Sequence, residues 1–198
     1  MAHADAEDVP VETRAEWREW LAAHHASSPG VWVVTYKKAS GKPAPSYDDL
    51  VEESLCFGWV DSRPGKVDDE RTRLYICPRK KGSGWAATNK ARIERLTADG
   101  QMMPAGLAVL EQAKADGSWT LLDASEQGIV PDDLSAAFDA HPGSRDNFDA
   151  FPPRVRKAIL EWIYLAKRPE TRASRIDETA RLAQQNIRAN QYVPKDRR

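Results

Sequence analysis

The feature that most constrains the fold is a change of pattern near residue 129. Before it, short runs of β-branched and aromatic residues alternate with helical segments, and after it every segment has helical spacing. Three extended runs are predicted as strands, over 31–36, 59–67 and 71–77. We therefore expect an α+β fold, with a small, mostly antiparallel sheet packed by helices and then a C-terminal helical hairpin or bundle.

This pattern divides the chain into four regions. We expect a flexible N-terminal arm over 1–12, an α+β domain over 13–123, a C-terminal helical region over 131–190 and a basic tail over 191–198. A chain of this length buries about 70% of the surface that it exposes when unfolded, so it needs no disulfide or metal to fold. The core is expected to include Trp20, Leu21, Val33, Leu50, Leu55, Ile76, Leu107, Leu110, Ile159 and Trp162.

Charge is strongly segregated along the chain, although the formal net charge is only −1. Counting Lys and Arg against Asp and Glu, residues 1–61 carry −6, 62–98 carry +6, 99–150 carry −8 and 151–198 carry +7. Two interpretations stay open. The basic blocks form one positive face suited to nucleic acid, or they pair with the acidic blocks inside the fold. The acidic block 99–150 is also the natural surface for neutralising cationic peptides.

Several classes of protein do not fit this sequence. It has no apolar run of about 18 residues, so no membrane span is expected. Its first 19 residues lack the apolar centre of a signal peptide, so a cytoplasmic location is expected. Cys56 and Cys77 make neither a disulfide framework nor a metal motif, and the histidines lack metal-ligand spacing. We expect no metal and no cofactor.

The central segment is the sharpest candidate for a binding site. Strict alternation places Trp59, Asp61 and Arg63 on one face of a strand, and Arg73 and Tyr75 on one face of the next. A basic loop with a tryptophan follows. Arginine recognises phosphate or carboxylate with two parallel hydrogen bonds, and aromatic rings stack on flat groups. The candidate ligand-binding residues are Trp59, Asp61, Arg63, Arg73, Tyr75, Arg79, Lys80, Trp85 and Asn89.

Other interpretations of these residues remain open. An ordinary strand face with cross-strand pairs between Asp61 and arginines, and with tryptophans in the core, has the same pattern. Asp61 is also a candidate general acid or base of an enzyme. The arginines Arg168, Arg172 and Arg175 form a helical stripe that is either a salt-bridged surface, with nearby acids of the same helix, or a docking surface.

Two long stretches resemble one family. The first is residues 47–62 (YDDLVEESLCFGWVDS), continuing through 78–80 (PRK) to Trp85 and 89–90 (NK). The second is residues 158–163 (AILEWI) and 166–172 (AKRPETR), followed by 175–176 (RI) and 178–179 (ET). Over residues 14–190 the chain resembles the bacterial YdeI/OmpD-associated family, also described as bacteriocin-protection proteins.

The resemblance implies a cytoplasmic bacterial protein linked with resistance to cationic antimicrobial peptides or other stress, in some members with a link to an outer-membrane porin. It brings no agreed catalytic residue, cofactor or substrate. The expected function is therefore non-enzymatic: binding of an anionic small molecule or a protein partner through the arginine and aromatic residues. Nucleic acid is a less favoured ligand, because no known fingerprint for it is present.

Overall fold

The computed structural model describes residues 5–191, which form two compact units. The first unit consists of residues 5–83 and 88–118, and the second of residues 84–87 and 119–191. Strands and helices make up the first unit, whereas helices make up the second, so the predicted α+β class is confirmed. Residues 1–4 of the predicted arm and 192–198 of the predicted basic tail lie outside the described residues.

The first unit contains a four-stranded sheet. Its strands are β1 (Asp8–Pro10), β2 (Val31–Tyr36), β3 (Trp59–Lys66) and β4 (Arg71–Pro78), in the spatial order β1-β2-β4-β3. Strand β4 pairs antiparallel with both β2 and β3, and β1 joins β2 in parallel. All three predicted strands are present, and the sheet is mostly antiparallel as expected.

Strand β1 differs from the expectation for the N-terminus. The sequence predicts a flexible arm over 1–12, whereas Asp8–Pro10 pair with β2 in the structure. Val9 and Val11 are buried, at 7% and 3% exposure. A strand of three residues is too short to show an alternation of apolar and polar side chains. Whether such a segment forms a strand depends strongly on the strand with which it pairs. The neighbouring strand, rather than the local sequence, makes this segment part of the sheet.

Four helices belong mainly to the first unit: α1 (Arg14–His24), α2 (Tyr47–Cys56), α3 (Ala87–Ala98) and α4 (Pro104–Ala115). A short 3-10 helix, Lys38–Ser40, precedes α2. Helix α2 begins with the predicted capping box. The Ser46 hydroxyl accepts a hydrogen bond from the backbone N–H of Asp49 (3.1 Å), and the Asp49 carboxylate accepts one from the N–H of Ser46 (2.9 Å).

A buried indole and a buried carboxylate help to hold helices α1 and α2 together. The indole N–H of Trp17, which is fully buried, donates to the Ser54 hydroxyl at 3.2 Å. Glu53, with only 3% of its side chain exposed, is bound by Arg14 and Arg18, each at 2.6 Å. A buried carboxylate is costly unless it is paired, so the two arginines are needed where α2 turns this residue inward.

Most of the predicted core is buried. Leu21, Val33, Leu50, Leu55, Ile76, Leu110 and Ile159 are each at most 6% exposed. Trp20 and Trp162 are half-buried. The prediction for Leu107 is wrong, because this side chain is 39% exposed. Helix α4 buries Gly106, Leu110 and Ala113, a stripe with the spacing i, i+4, i+7, and Leu107 lies outside it.

The second unit contains α5 (Asp123–Glu126), α6 (Asp132–Asp139), α7 (Ser144–Ala150), α8 (Pro153–Tyr164) and α9 (Pro169–Gln184). Helices α6, α7, α8 and α9 share one apolar cluster, formed by Leu134, Phe138, Phe148, Phe151, Ile159, Leu160, Ile163, Ile176, Ala180, Ala183 and Ala189. The predicted C-terminal helical region therefore has a core of its own. Within residues 5–191, no helix combines the length and the apolar character needed to cross a membrane.

Candidate anion-binding site

A β-bulge in β3 decides which of the predicted site residues lie together. Asp61 is opposite Ile76 of β4, but Arg63 is opposite Tyr75, so Ser62 is the extra residue of the bulge. Directly opposed residues point to the same face of a sheet. Asp61 and Arg63 therefore lie on opposite faces. The prediction that alternation places them on one face is wrong, because a single extra residue inverts the alternation.

One face of the sheet carries a cluster of arginine and aromatic side chains, Trp32, Arg63, Arg73 and Tyr75, which we name the arginine face. Trp32 and Tyr75 are directly opposed, and their rings meet edge to face with centroids 5.3 Å apart. The guanidinium carbon of Arg73 is 4.3 Å from the Trp32 ring centroid, and that of Arg63 is 5.3 Å from it. Both distances are within the range of about 6 Å for cation–π contact.

Arg73 already binds one carboxylate. Its Nη1 is 2.9 Å from Oδ1 of Asp8 on β1, and 31% and 48% of the two side chains are exposed. Its Nε is buried without a hydrogen-bond partner among residues 5–191. A guanidinium has five N–H donors in a planar fork. The pair with Asp8 therefore shows what this arginine recognises, and it leaves donors for a further anionic oxygen.

The opposite face of the sheet packs against α1 and α2, and we name it the helix face. Trp59 lies there and is 1% exposed. Its indole N–H donates to the carbonyl oxygen of His25 at 3.2 Å, and its ring meets the edge of Trp20 at 5.8 Å. Trp59 is therefore a core tryptophan, as the alternative interpretation had it, and presents almost no surface to a ligand.

Asp61 is half-buried and accepts a hydrogen bond from the Tyr47 hydroxyl at 2.7 Å. Partial burial and then this bond raise the pKa of Tyr47 to about 12, so its phenol remains a proton donor at neutral pH. Burial lowers the pKa of Arg79 to about 10, and the charge of Asp61 opposes that decrease. Asp61 thus interacts with a tyrosine of α2 and with the arginine that follows β4.

The other predicted site residues have different surroundings. Lys80 is exposed, and the side-chain oxygen of Asn89 accepts a hydrogen bond from Arg92 at 2.9 Å. Trp85 belongs to the second unit, where it is 2% exposed and its ring centroid is 5.2 Å from that of Trp119. Trp85, a predicted ligand-binding residue, is therefore buried and presents almost no surface to a ligand.

Three residues that contact the predicted site residues were not predicted from the sequence: Trp32, Tyr47 and Asp8. Trp32 lies on the predicted strand 31–36, and an antiparallel register between that strand and 71–77 would have placed it opposite Tyr75. Tyr47 is visible in the sequence only as the first residue of a helix. Asp8 lies in the segment predicted to be flexible. Each of these contacts joins residues at least 14 positions apart, so no local pattern records them.

Two arginines of the predicted stripe, Arg172 and Arg175, have partners within the second unit. Arg172 binds both carboxylate oxygens of Asp133 on α6, at 2.7 and 2.9 Å. Arg175 lies over the ring of Trp162, with its guanidinium carbon 4.9 Å from the centroid, and donates to the carbonyl oxygen of the same residue. These partners lie on other helices, rather than at the neighbouring acids of α9 that we expected.

Comparison with known families gives two matches. Residues 9–109 match the family described as Domain of unknown function (DUF8412), which covers just over half of the 198 residues. The chain belongs to this family. Residues 127–186 match a second family, described as bacteriocin-protection, YdeI or OmpD-associated, and this confirms the predicted resemblance. No curated protein and no solved structure matches the chain.

The two matches divide the stretches on which the resemblance was based. The second stretch, 158–179, lies in the bacteriocin-protection region, whereas the first, 47–90, lies in the DUF8412 region. The resemblance expected over 14–190 is therefore shown over a shorter part of the chain. The four residues of the arginine face all belong to the DUF8412 region. Among residues 5–191, no group of three or more His, Cys, Asp or Glu side chains is placed to hold a metal ion.

Proposed function

We propose that the chain is a cytoplasmic, non-catalytic protein of bacterial stress resistance that binds an anionic ligand at the arginine face. The link with stress resistance is supported by the bacteriocin-protection family of residues 127–186. The binding role is supported above all by one observation: the guanidinium groups of Arg63 and Arg73 both lie over the ring of Trp32.

Stacking on a buried ring prepares an arginine for binding. Trp32 is 4% exposed, so its position is fixed by the sheet, and the cationic groups above it lose less freedom when a ligand arrives. A guanidinium that uses its flat face on a ring still has N–H groups along its edge. Those groups match the spacing of carboxylate and phosphate oxygens. The ligand class is therefore a carboxylate or phosphate, on a small molecule or on an acidic segment of a partner protein.

In this proposal the Asp8 carboxylate competes with the ligand for Arg73. Ion pairs that are exposed to this degree contribute about 0–1 kcal/mol, so an incoming anion displaces the Asp8 carboxylate at little cost. Removing that carboxylate leaves Arg73 available and removes a repulsive charge. Asp8→Asn should therefore tighten anion binding, which is the opposite of what an arginine replacement does.

The test is a thermal-shift and calorimetric titration of the full chain with pyrophosphate, citrate, an acidic peptide and a short single-stranded oligonucleotide. We expect one anion class to raise Tm by a few degrees at about 100 times its Kd. Loss of a charge-assisted contact costs about 1.5–3 kcal/mol, so Arg73→Ala should weaken binding at least tenfold. Asp8→Asn should strengthen it severalfold. Arg181→Ala, an exposed arginine of α9, is the matched control and should bind as the natural chain does.

Two results would overturn the proposal. One is the absence of any shift with every anion of the panel. The other is a shift that survives in both Arg73→Ala and Arg63→Ala, because the ligand would then occupy a different surface. Binding restricted to the oligonucleotide, with steep salt dependence, would replace the small-anion proposal by a nucleic-acid role.

A further inference from the structure

A groove opens on the first unit beside the start of α2. It has a volume of about 910 Å³. Its walls come from the end of β2, the loop over residues 37–46, the first turns of α2 and the facing parts of β3 and β4. Of the four arginine-face residues only Arg73 lines it, so the groove is a separate feature from the cluster around Trp32.

The groove combines an apolar lining with hydroxyl groups. Leu50, Leu74 and Pro64 supply apolar surface, and Thr35 and Thr72 lie between them on neighbouring strands. The register puts these sheet residues on the helix face, because Thr35 is opposite Thr72 and Pro64 is opposite Leu74. Grooves of this size with mostly apolar walls and a few polar groups are typical of small-molecule sites.

Every charged residue that lines the groove is basic. These residues are Lys37, Lys38, Lys42 and Arg73. The ammonium group of Lys37 donates to the backbone carbonyls of Asp68 and Asp69, at 2.7 and 3.0 Å, so its charge is held in place by neutral groups. Lys38 is exposed and forms no ion pair within residues 5–191. Lys42 is paired with Glu70 at 2.8 Å, and the side chain of Arg73 belongs to the arginine face, so within residues 5–191 the positive charge available to the groove comes from Lys37 and Lys38. An apolar lining beside these two ammonium groups is complementary to an amphipathic anion.

Tyr47 adds a further contact surface. It lines the groove, its side chain is 55% exposed, and its hydroxyl is held by Asp61 at 2.7 Å. A large aromatic ring that remains exposed while its polar tip is fixed offers a flat apolar surface to a ligand. The ring thus extends the apolar lining from Leu50 toward solvent.

We propose that this groove binds an amphipathic carboxylate, whose apolar body lies against Leu50, Leu74 and Tyr47 and whose carboxylate faces the lysines of the 37–46 loop. The site goes beyond the proposed function, because it uses a different surface and requires an apolar ligand body. Small multivalent anions such as pyrophosphate lack such a body and do not fill it.

The experiment is an NMR titration of the isotopically labelled full chain with 2-naphthoate and with decanoate, each compared with its neutral amide. We expect saturable shifts of the backbone amides of Thr35, Thr72 and Leu74. One favourable ion contact at a partly exposed site is worth up to about 1 kcal/mol, so the amides should bind about fivefold more weakly than the acids. Lys38→Glu should weaken carboxylate binding at least as much, and Ala44→Trp should block the groove for acid and amide alike.

Controls separate this proposal from the arginine face and from general loss of charge. Arg63→Ala should leave the naphthoate-induced shifts of the groove amides unchanged, because Arg63 does not line the groove. Lys167→Glu removes an exposed lysine of the second unit and should also have no effect. The proposal is overturned if the probes shift no groove amides, if acid and amide bind equally well, or if Arg63→Ala abolishes binding.

Discussion

At the residue scale, Tyr47 illustrates how one side chain connects two parts of the first unit. It is the first residue of α2, directly after the capping serine, and its hydroxyl reaches the Asp61 carboxylate on β3. The bond ties the start of a helix to the strand that carries the bulge. Partial burial, and then this bond to a carboxylate, which the phenol can donate only while it keeps its proton, raise the pKa of Tyr47 to about 12.

This raised pKa predicts a definite dependence of stability on pH. The pKa of Tyr47 is about 12 in the folded chain and close to its ordinary value of 10.0 when unfolded. The stabilisation from its bond to Asp61 is therefore complete below about pH 10 and is lost as the pH rises toward about 12. The difference in unfolding free energy between the natural chain and Tyr47→Phe should shrink over this interval, as measured by urea denaturation at a series of pH values.

Asp61→Asn is the matched variant for this prediction. It removes the carboxylate but keeps a side-chain oxygen that can accept the bond, so it should lower the pKa of Tyr47, observed by ultraviolet titration of tyrosinate. A stability difference for Tyr47→Phe that stays constant across the interval would contradict the prediction.

At the level of the elements, helices α2 and α4 approach each other closely at Gly106. This buried glycine of α4 lies against the end of α2, where an added Cβ would be 2.2 Å from the carbonyl oxygen of Cys56. No real Cβ fits at that distance from a backbone atom. The contact requires glycine for its missing side chain, since the backbone of this residue is ordinary helix.

The Gly106→Ala variant therefore compares two opposing effects on stability, the gain from helix propensity and the cost of overpacking. Propensity alone would make the variant more stable by about 1 kcal/mol. Overpacking of a filled interior costs about 1–3 kcal/mol, and a clash with backbone lies at the upper end. We expect net destabilisation, measured by chemical denaturation of the full chain. Ala108→Ser, an exposed position on the same helix, should change stability by no more than about 0.5 kcal/mol. A more stable Gly106→Ala variant would show that α4 moves freely away from α2.

At the scale of the whole molecule, two units with separate apolar interiors are combined in one chain. In the second unit, Leu134 is completely buried in the cluster shared by α6, α7, α8 and α9. In the first unit, buried residues of the sheet and of α1 and α2 form the interior. Each unit thus has its own source of stability.

Leu134→Ala should reveal how far this separation extends. Removing a fully buried leucine side chain costs about 2–5 kcal/mol. We expect faster hydrogen exchange of backbone amides within 119–191, where that core is lost, and unchanged protection in β2 and β4. Leu165→Ala, at an exposed position of the same unit, is the control and should leave exchange unchanged. Equal loss of protection in both units would show that they unfold together.

The strands, the capped helices and the division between mixed and helical parts followed from the sequence. Period-2 and period-3.6 patterns arise from backbone geometry and are therefore visible in each segment separately. The extended runs at 31–36 and 71–77 and the capping box at Ser46 were predicted because their signals lie within a few residues. The exposure of Leu107 was not predicted, since α4 is apolar on more than one side and only its neighbours select the buried one.

The candidate site depended on interactions between distant segments. The alternation of β3 was read correctly up to Asp61, but the bulge at Ser62 became visible only through the pairing of β3 with β4. Because Ser62 is an extra residue, Arg63 lies over Trp32 on one face of the sheet, whereas Asp61 contacts Tyr47 on the other. Which residues carry charge and aromatic surface, and which elements they occupy, can be read from the chain alone. Which of them meet cannot, because register and face depend on strand pairing rather than on any local preference.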